Sequence, residues 1–469
     1  MTKTSIKPLF IACSGGWGHI AAVHGLIEHL SSDHHLQLTE HSGQIAQDRT
    51  IQNPSFYAKR LRQGIRLLST PYLGTFLKKI PIPWGLRYLP HQNEFFIELD
   101  RLVHTEKTHG CTRPYVDLLL DVYPTGYDFA AIFNTLQRKD DTTGIRAIVQ
   151  AQPASDRMHH HLVYKHIFTM LCQAAKQGLA YTEIISTQPQ SLAALCDAVM
   201  HYNQRYAPII IKQYLTDLPT SGAHHFFRSL QRLTSKQQQQ MAIYAVCNDV
   251  QDIVDYLKYP TAFAGLYALK KQDNPMVRVC IKNESLKQLT QTHLDCTLHY
   301  ATPEGTKTVI IPAQAHVACI MLGSLAGHAT IHYAKHCIET KKYAYIFIFR
   351  ADNTHIDEAL VAYTKNCTNI ICLGQQTAGQ RAAIMTRSQC MILRCGGLTT
   401  MENMILPIIP NKTFFFHYPD QGNEKNVNEA LQNGLRWEES NTAILMTHIK
   451  QHGGVVYKTT PTRIGATPP

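Results

Sequence analysis

The sequence has no CxxC pair, and no apolar run approaches the roughly 20 residues that a helix needs to span a bilayer. Its 13 cysteines are scattered without an even framework, so they read as reduced thiols of a cytoplasmic protein. The opening residues Met1 to Pro8 lack the apolar core of a signal peptide. Acidic residues are in deficit, with 34 Asp+Glu against 45 Lys+Arg and a net charge of +11. Such a balance favours an acidic partner: a nucleotide diphosphate, a phospholipid surface or a nucleic acid. No RNP, zinc-finger or helix-turn-helix signature supports nucleic acid, which is set aside. The adjacent His159, His160 and His161 diverge on a helix, and His24, His29, His34 and His35 form no ligand set, so no metal site is expected.

At 469 residues the chain is long enough for two to three domains. Two stretches punctuate it in the same way. Pro8 to Cys13 is a short apolar strand that ends in Ser14-Gly15-Gly16-Trp17-Gly18-His19, and a helix from Ile20 to Leu30 follows. Near the other end Cys390 to Leu393 leads through Arg394 and Cys395 into Gly396-Gly397-Leu398-Thr399-Thr400-Met401-Glu402. Strand, tight glycine turn and helix start expose unpaired backbone N–H groups and the positive end of a helix dipole, a setting that suits a diphosphate. Neither turn carries the Lys-Ser/Thr of a P-loop, which argues against an ATPase. The bland alternative for the second stretch is that Thr399 and Glu402 form a capping box.

The second stretch resembles the donor half of GT-B glycosyltransferases, in the branch that contains MurG and monogalactosyldiacylglycerol synthase. Gly396, Gly397, Thr399 and Glu402 match that branch's Gly-Gly-x-Thr-x-x-Glu signature, and the first loop looks like its Gly-Gly-x-Gly-His loop. The resemblance implies an α/β chain of two Rossmann-like domains facing a central cleft. It also implies that the glycines, Thr399 and Thr400 contact a nucleotide-sugar diphosphate, with Arg394 beside them, while Glu402 takes the ribose hydroxyls. Ser14, Gly15, Gly16 and Gly18 would form the acceptor-side loop. His19 would lie near the reacting hydroxyl, where a histidine can accept its proton; the alternative is that it only caps the helix or positions the acceptor. UDP is the nucleotide the family implies, with inversion at the anomeric carbon and without a bound metal.

Further pieces follow the same likeness. Leu215-Thr216-Asp217, followed by His224, His225 and Phe226, loosely matches a Thr-Asp, His and aromatic pattern, and Asp217 at a strand's carboxyl end is the rival base. Its bland reading is a turn cap. Thr187-Gln188-Pro189 closes a buried strand, Ala180 to Ser186, and would face the cleft. Gly323-Ser324-Leu325-Ala326-Gly327, after the strand His316 to Leu322, resembles the first donor-domain loop, placing Gly323, Ser324 and Gly327 against the phosphates. Arg350 closes the strand Tyr343 to Phe349 and can pair with phosphate or stand as a surface cation. Gln421, Asn423 and Glu424 fall where the family binds the sugar; Asn423 is also a candidate N-cap. Ile405-Leu406-Pro407 departs from the family's small residue and Gly before Pro.

Between about 50 and 110 lies a helical, basic insertion. Residues 57–88 interleave Tyr57, Lys59, Arg60, Arg62 and Arg66 with Tyr72, Phe76, Lys78, Lys79, Trp84 and Arg87, a pattern that suits an anionic membrane surface or a solvated helix. Tyr115 to Val122 reads as a strand, with a second apolar run at Ala130 to Leu136, and residues 251–306 carry no clear pattern. The domain boundary is placed near 300, giving domains 1–300 and 301–458 and a flexible Thr/Pro tail, 459–469. The expected activity is transfer of a hexose or N-acetylhexosamine from a UDP-sugar to an alcohol, a lipid among the candidates, by a cytoplasmic protein that can sit on a membrane surface. A GT-B-shaped sugar-nucleotide epimerase or hydrolase and an inactive nucleotide-sugar-binding protein are the alternatives.

Overall fold

The computed structural model describes residues 5–14, 17–42, 55–68, 92–108, 112–223, 228–256, 265–280, 289–302, 305–323, 327–350, 353–365, 367–419 and 435–464. It divides into two compact units, Met1–Leu136 with Thr143–Lys270, and Gln137–Thr142 with Lys271–Pro469.

In the first unit six parallel strands form one sheet: β1 (Pro8–Ala12), β2 (Val116–Asp117), β3 (Glu183–Ser186), β4 (Ile211–Tyr214), β5 (Met241–Val246) and β6 (Leu266–Leu269). Their spatial order is β6-β5-β4-β3-β1-β2, so the chain reverses direction of growth between β1 and β3. Its longer helices are α1 (Trp17–Asp33), α2 (Phe56–Leu68), α3 (Gln92–Thr108), α4 (Gly126–Arg138), α5 (Thr142–Lys176), α6 (Leu192–Asn203) and α7 (Val250–Tyr256). The interior strand β1 is buried at every position because a parallel sheet covered on both faces leaves no wet side.

The second unit opens with an antiparallel hairpin, β7 (Cys296–Thr302) and β8 (Gly305–Ile311). Its sheet is again six parallel strands: β9 (Val317–Met321), β10 (Tyr345–Phe349), β11 (Ile370–Leu373), β12 (Cys390–Leu393), β13 (Thr413–His417) and β14 (Val455–Thr459). The order β11-β10-β9-β12-β13-β14 is the doubly wound Rossmann order, with its switch point between β9 and β12. Helices α8 (Ala329–Glu339), α9 (Thr354–Thr364), α10 (Ala378–Arg387), α11 (Gly397–Ile405) and α12 (Arg436–Gln451) connect the strands. Both halves are therefore Rossmann-like α/β units. Among the described residues no helix is long and apolar enough to cross a membrane.

Three local expectations change. Only Val116–Asp117 pairs as a strand; Leu118–Val122 forms a π-helical turn, because the buried Asp117 carboxylate accepts the Leu119 and Leu120 amides, both at 3.1 Å. The second unit starts at Lys271, upstream of the boundary expected near 300, since Asn274 packs on Met401 and Cys280 on Glu402. The start of the expected tail is packed: Thr459 pairs with His417, Thr460 is fully buried and Ile464 joins the apolar core. Residues 465–469 lie outside the described residues.

Candidate active site

Open α/β sheets bind ligands beyond the carboxyl ends of their strands, at the switch point. In the first unit that point lies between the segments that follow β1 and β3, and one histidine bridges them. His19, in the first turn of α1, has Nδ1 2.8 Å from the Thr187 carbonyl oxygen, and the Thr216 hydroxyl lies 3.1 Å from the same nitrogen. The Thr187 hydroxyl donates back to the His19 carbonyl at 2.9 Å. A carbonyl only accepts, so Nδ1 carries the proton and Nε2 keeps its lone pair. Burial lowers the pKa of His19 to about 4 against the opposing pull of the Thr187 bond, which leaves the ring neutral near pH 7.

The Thr187–Ser191 segment is itself fixed. Gln213 Nε2 donates to the Gln188 carbonyl at 3.0 Å, Asp156 accepts the Ser191 amide at 3.0 Å, and the Ser191 hydroxyl lies 2.6 Å from that of Tyr123. Ser191 adopts φ 55°, a conformation that these bonds hold in place. Ser14 binds Asp117 through both its amide, at 3.3 Å, and its hydroxyl. Asp117 was missed from the sequence, although an acid at a strand's carboxyl end was a usable signal. Gly15 and Gly16 lie outside the described residues, as do His224, His225 and Phe226. Gly18 is exposed, with nothing near the place of a side chain. Asp217 is half-buried just beyond β4, next to the Thr216 that touches His19.

In the second unit the switch point falls between the turns after β9 and β12. Gly323 takes φ +92°, a left-handed conformation that a glycine adopts without strain. Ser324 lies outside the described residues. Gly327 packs against chain: a side-chain carbon there would meet the Arg138 carbonyl oxygen at 3.1 Å. Gly396 is the N-cap of α11 and Gly397 its first residue, so the first amides of that helix have no intrahelical partner. Because the helix begins here, Thr399 and Glu402 are both interior and form no capping box. Thr400 donates to the Gly396 carbonyl at 2.9 Å, and half-buried Thr399 precedes it.

Glu402 is buried, with Oε1 accepting from Arg381 Nη2 at 2.7 Å and from the Cys280 thiol at 3.8 Å. Arg394 is also buried and lies between two carboxylates: Nε bonds Glu438 at 2.7 Å and Nη1 bonds Asp140 at 3.1 Å. Arg350 Nε is 2.8 Å from Asp357. These arginine partners were missed, since their separation in sequence gives no local pattern. Gln421, Asn423 and Glu424 lie outside the described residues.

Of the basic stretch, residues 69–91 lie outside the described residues, Lys78, Lys79, Trp84 and Arg87 among them. On α2, Phe56, Tyr57, Lys59 and Arg60 are exposed, but Arg62 is withdrawn into a two-point pair with buried Asp128, at 2.6 and 3.2 Å. His159 stacks on Tyr123 with ring centroids 4.0 Å apart, while His160 Nε2 lies 3.0 Å from Asp197. Among the described residues no cluster of three or more His, Cys, Asp or Glu could hold a metal ion.

No protein-family model matches the chain, and no curated protein does. Solved structures are similar to it. MurG of Acinetobacter baumannii matches 64% of this chain and 67% of its own at 10% identity, with a TM-score of 0.36. A Polygonum tinctorium UDP-glucosyltransferase capable of glucosylating indoxyl matches 97% of this chain and 85% of its own at 10% identity, with a TM-score of 0.42. UDP-GlcNAc 2-epimerase from Methanocaldococcus jannaschii matches 61% of this chain and 75% of its own at 8% identity, with a TM-score of 0.31. The strand orders themselves make this chain an α/β protein of two Rossmann-like units.

Proposed function

We propose that this chain is a UDP-sugar-dependent glycosyltransferase of the GT-B type, moving a hexose or N-acetylhexosamine to an acceptor hydroxyl with inversion. The observation that carries the reading is His19: a neutral imidazole at a switch point, its Nδ1 committed to the Thr187 carbonyl and its Nε2 left as the basic atom. In the reaction the acceptor oxygen attacks the anomeric carbon as the bond to the β-phosphate oxygen of UDP breaks, and the acceptor proton passes to His19 Nε2. Asp217 is the alternative base. The departing diphosphate takes the free amides of α11 and the turn at Gly323, so fixed dipoles stabilise the charge that develops, without a metal. Glu402 receives the ribose hydroxyls. Exposed Phe56, Tyr57, Lys59 and Arg60 give the first unit a face for an anionic membrane, which fits a lipid acceptor.

Calorimetric titration with UDP, GDP and ATP, with and without EDTA, tests the reading. Binding of UDP alone, unaffected by EDTA, is expected. Binding of none of the three would leave an inactive scaffold as the better description. UDP-sugar turnover that needs no acceptor would favour an epimerase or hydrolase.

A further inference from the structure

The segment Gln137–Thr142 comes from the first half of the chain but belongs to the second unit, where it sits at the carboxyl ends of β12 and β13. It uses two of that unit's natural anion donors. The Arg138 carbonyl accepts the backbone amide of His328, the N-cap of α8, at 3.1 Å. Asp140 Oδ1 lies 3.1 Å from Arg394 Nη1 and 3.5 Å from His417 Nε2. Gly327 permits the approach, because any side chain there would press on the Arg138 carbonyl.

The fit of the carboxylate is incomplete. Arg394 and His417 are 8% and 7% exposed, yet Arg394 Nη2 has no hydrogen-bond partner and His417 Nε2 reaches the Asp140 oxygen only at 3.5 Å. A buried guanidinium N–H is rarely left so. One oxygen of Asp140 faces both side chains, whereas a phosphate has enough oxygens, tetrahedrally disposed, to serve Nη1, Nη2 and Nε2 together. Asp140 also holds φ 53°, outside the conformations a non-glycine residue prefers.

We propose that Asp140 is an intramolecular stand-in for a phosphate group: the diphosphate of the incoming donor displaces it from Arg394 and His417 and releases Gln137–Thr142 from the strand ends. This rests on the donor-site reading above and adds that the segment competes with the ligand.

The test is titration of UDP and uridine into the wild-type chain and into Asp140→Asn and Asp140→Ala, with hydrogen exchange of residues 137–142 followed on UDP addition. Arg394 keeps Glu438 in both variants, so the fold is expected to survive, and thermal unfolding checks it. The expected result is UDP binding tightened about tenfold in both variants, uridine binding unchanged, and faster exchange of the segment when UDP binds wild type. UDP binding that is unchanged or weakened in the variants, with wild type still binding, would overturn the proposal and leave the donor site standing. UDP binding by none of the three proteins would overturn both.

Discussion

Arg381 Nη2 lies 2.7 Å from Glu402 Oε1, so a side chain of α10 fixes the carboxylate that α11 carries just beyond the glycine turn. Glu402 is 4% exposed, and a carboxyl group so buried needs such a partner to satisfy its oxygens.

Glu402→Ala is therefore expected to abolish UDP binding, a loss of roughly 2–3 kcal/mol or more for charge-assisted bonds. Arg381→Met is expected to weaken it less, by freeing the carboxylate to rotate. Unchanged UDP affinity in Glu402→Ala by calorimetry would remove Glu402 from the donor site.

His19→Gln is expected to lower turnover by about 10²–10⁴ with UDP affinity kept, the usual range for a lost general base. Asp217→Asn separates the candidates, since only the true base shows the large effect. With the His19 pKa at about 4, the acidic limb of the rate profile should lie near pH 4, and rate should be flat from there to neutrality. Between pH 6.5 and about 4 the unfolded chain binds a proton here that the folded chain refuses, so stability falls as pH falls through that window. His19→Gln should flatten that slope in acid titration followed by fluorescence.

Gly126→Ala should destabilise the first unit severely. The added carbon would lie 1.7 Å from the Leu119 carbonyl oxygen in the π-helical turn, so backbone has to move. A loss of about 3 kcal/mol or more is expected in chemical denaturation, in the range of severe core mutations. Gly18→Ala, where nothing lies nearby, is the control and should be close to neutral in stability.

Replacing Lys59, Arg60, Lys78, Lys79 and Arg87 by Ser should release the protein from anionic vesicles in a flotation assay. At about 1 kcal/mol per cation near the surface, the five together far exceed what weak peripheral binding requires. Arg62→Ser belongs to a different class: it unpairs buried Asp128, so its expected cost is in stability. Vesicle binding that persists in the five-fold variant would sink the membrane face.

Much of the fold was legible because parallel strands buried on both faces are short apolar runs, and glycine turns mark where each ends. Phe347 and Ile348, and Ile392 and Leu393, announced their strands in this way. The stretch from Leu118 to Val122 is just as apolar, and there the reading failed. Periodicity cannot separate a buried strand from a buried helical turn, and the deciding contacts, Asp117 with its local amides and Gly126 with Leu119, are not a pattern of hydrophobicity.

The sequence by itself determined the two α/β halves and the places of their glycine turns, because backbone conformation and burial are set by residues close in the chain. Tertiary structure alone decided the chemistry of the side chains at those turns. Which nitrogen of His19 holds the proton depends on Thr187, and what satisfies the buried oxygen of Glu402 depends on Arg381. What Arg394 binds depends on Asp140, 254 residues away. Such pairs are made by strand order, which brings distant loops to one end of a sheet, and no local periodicity encodes them.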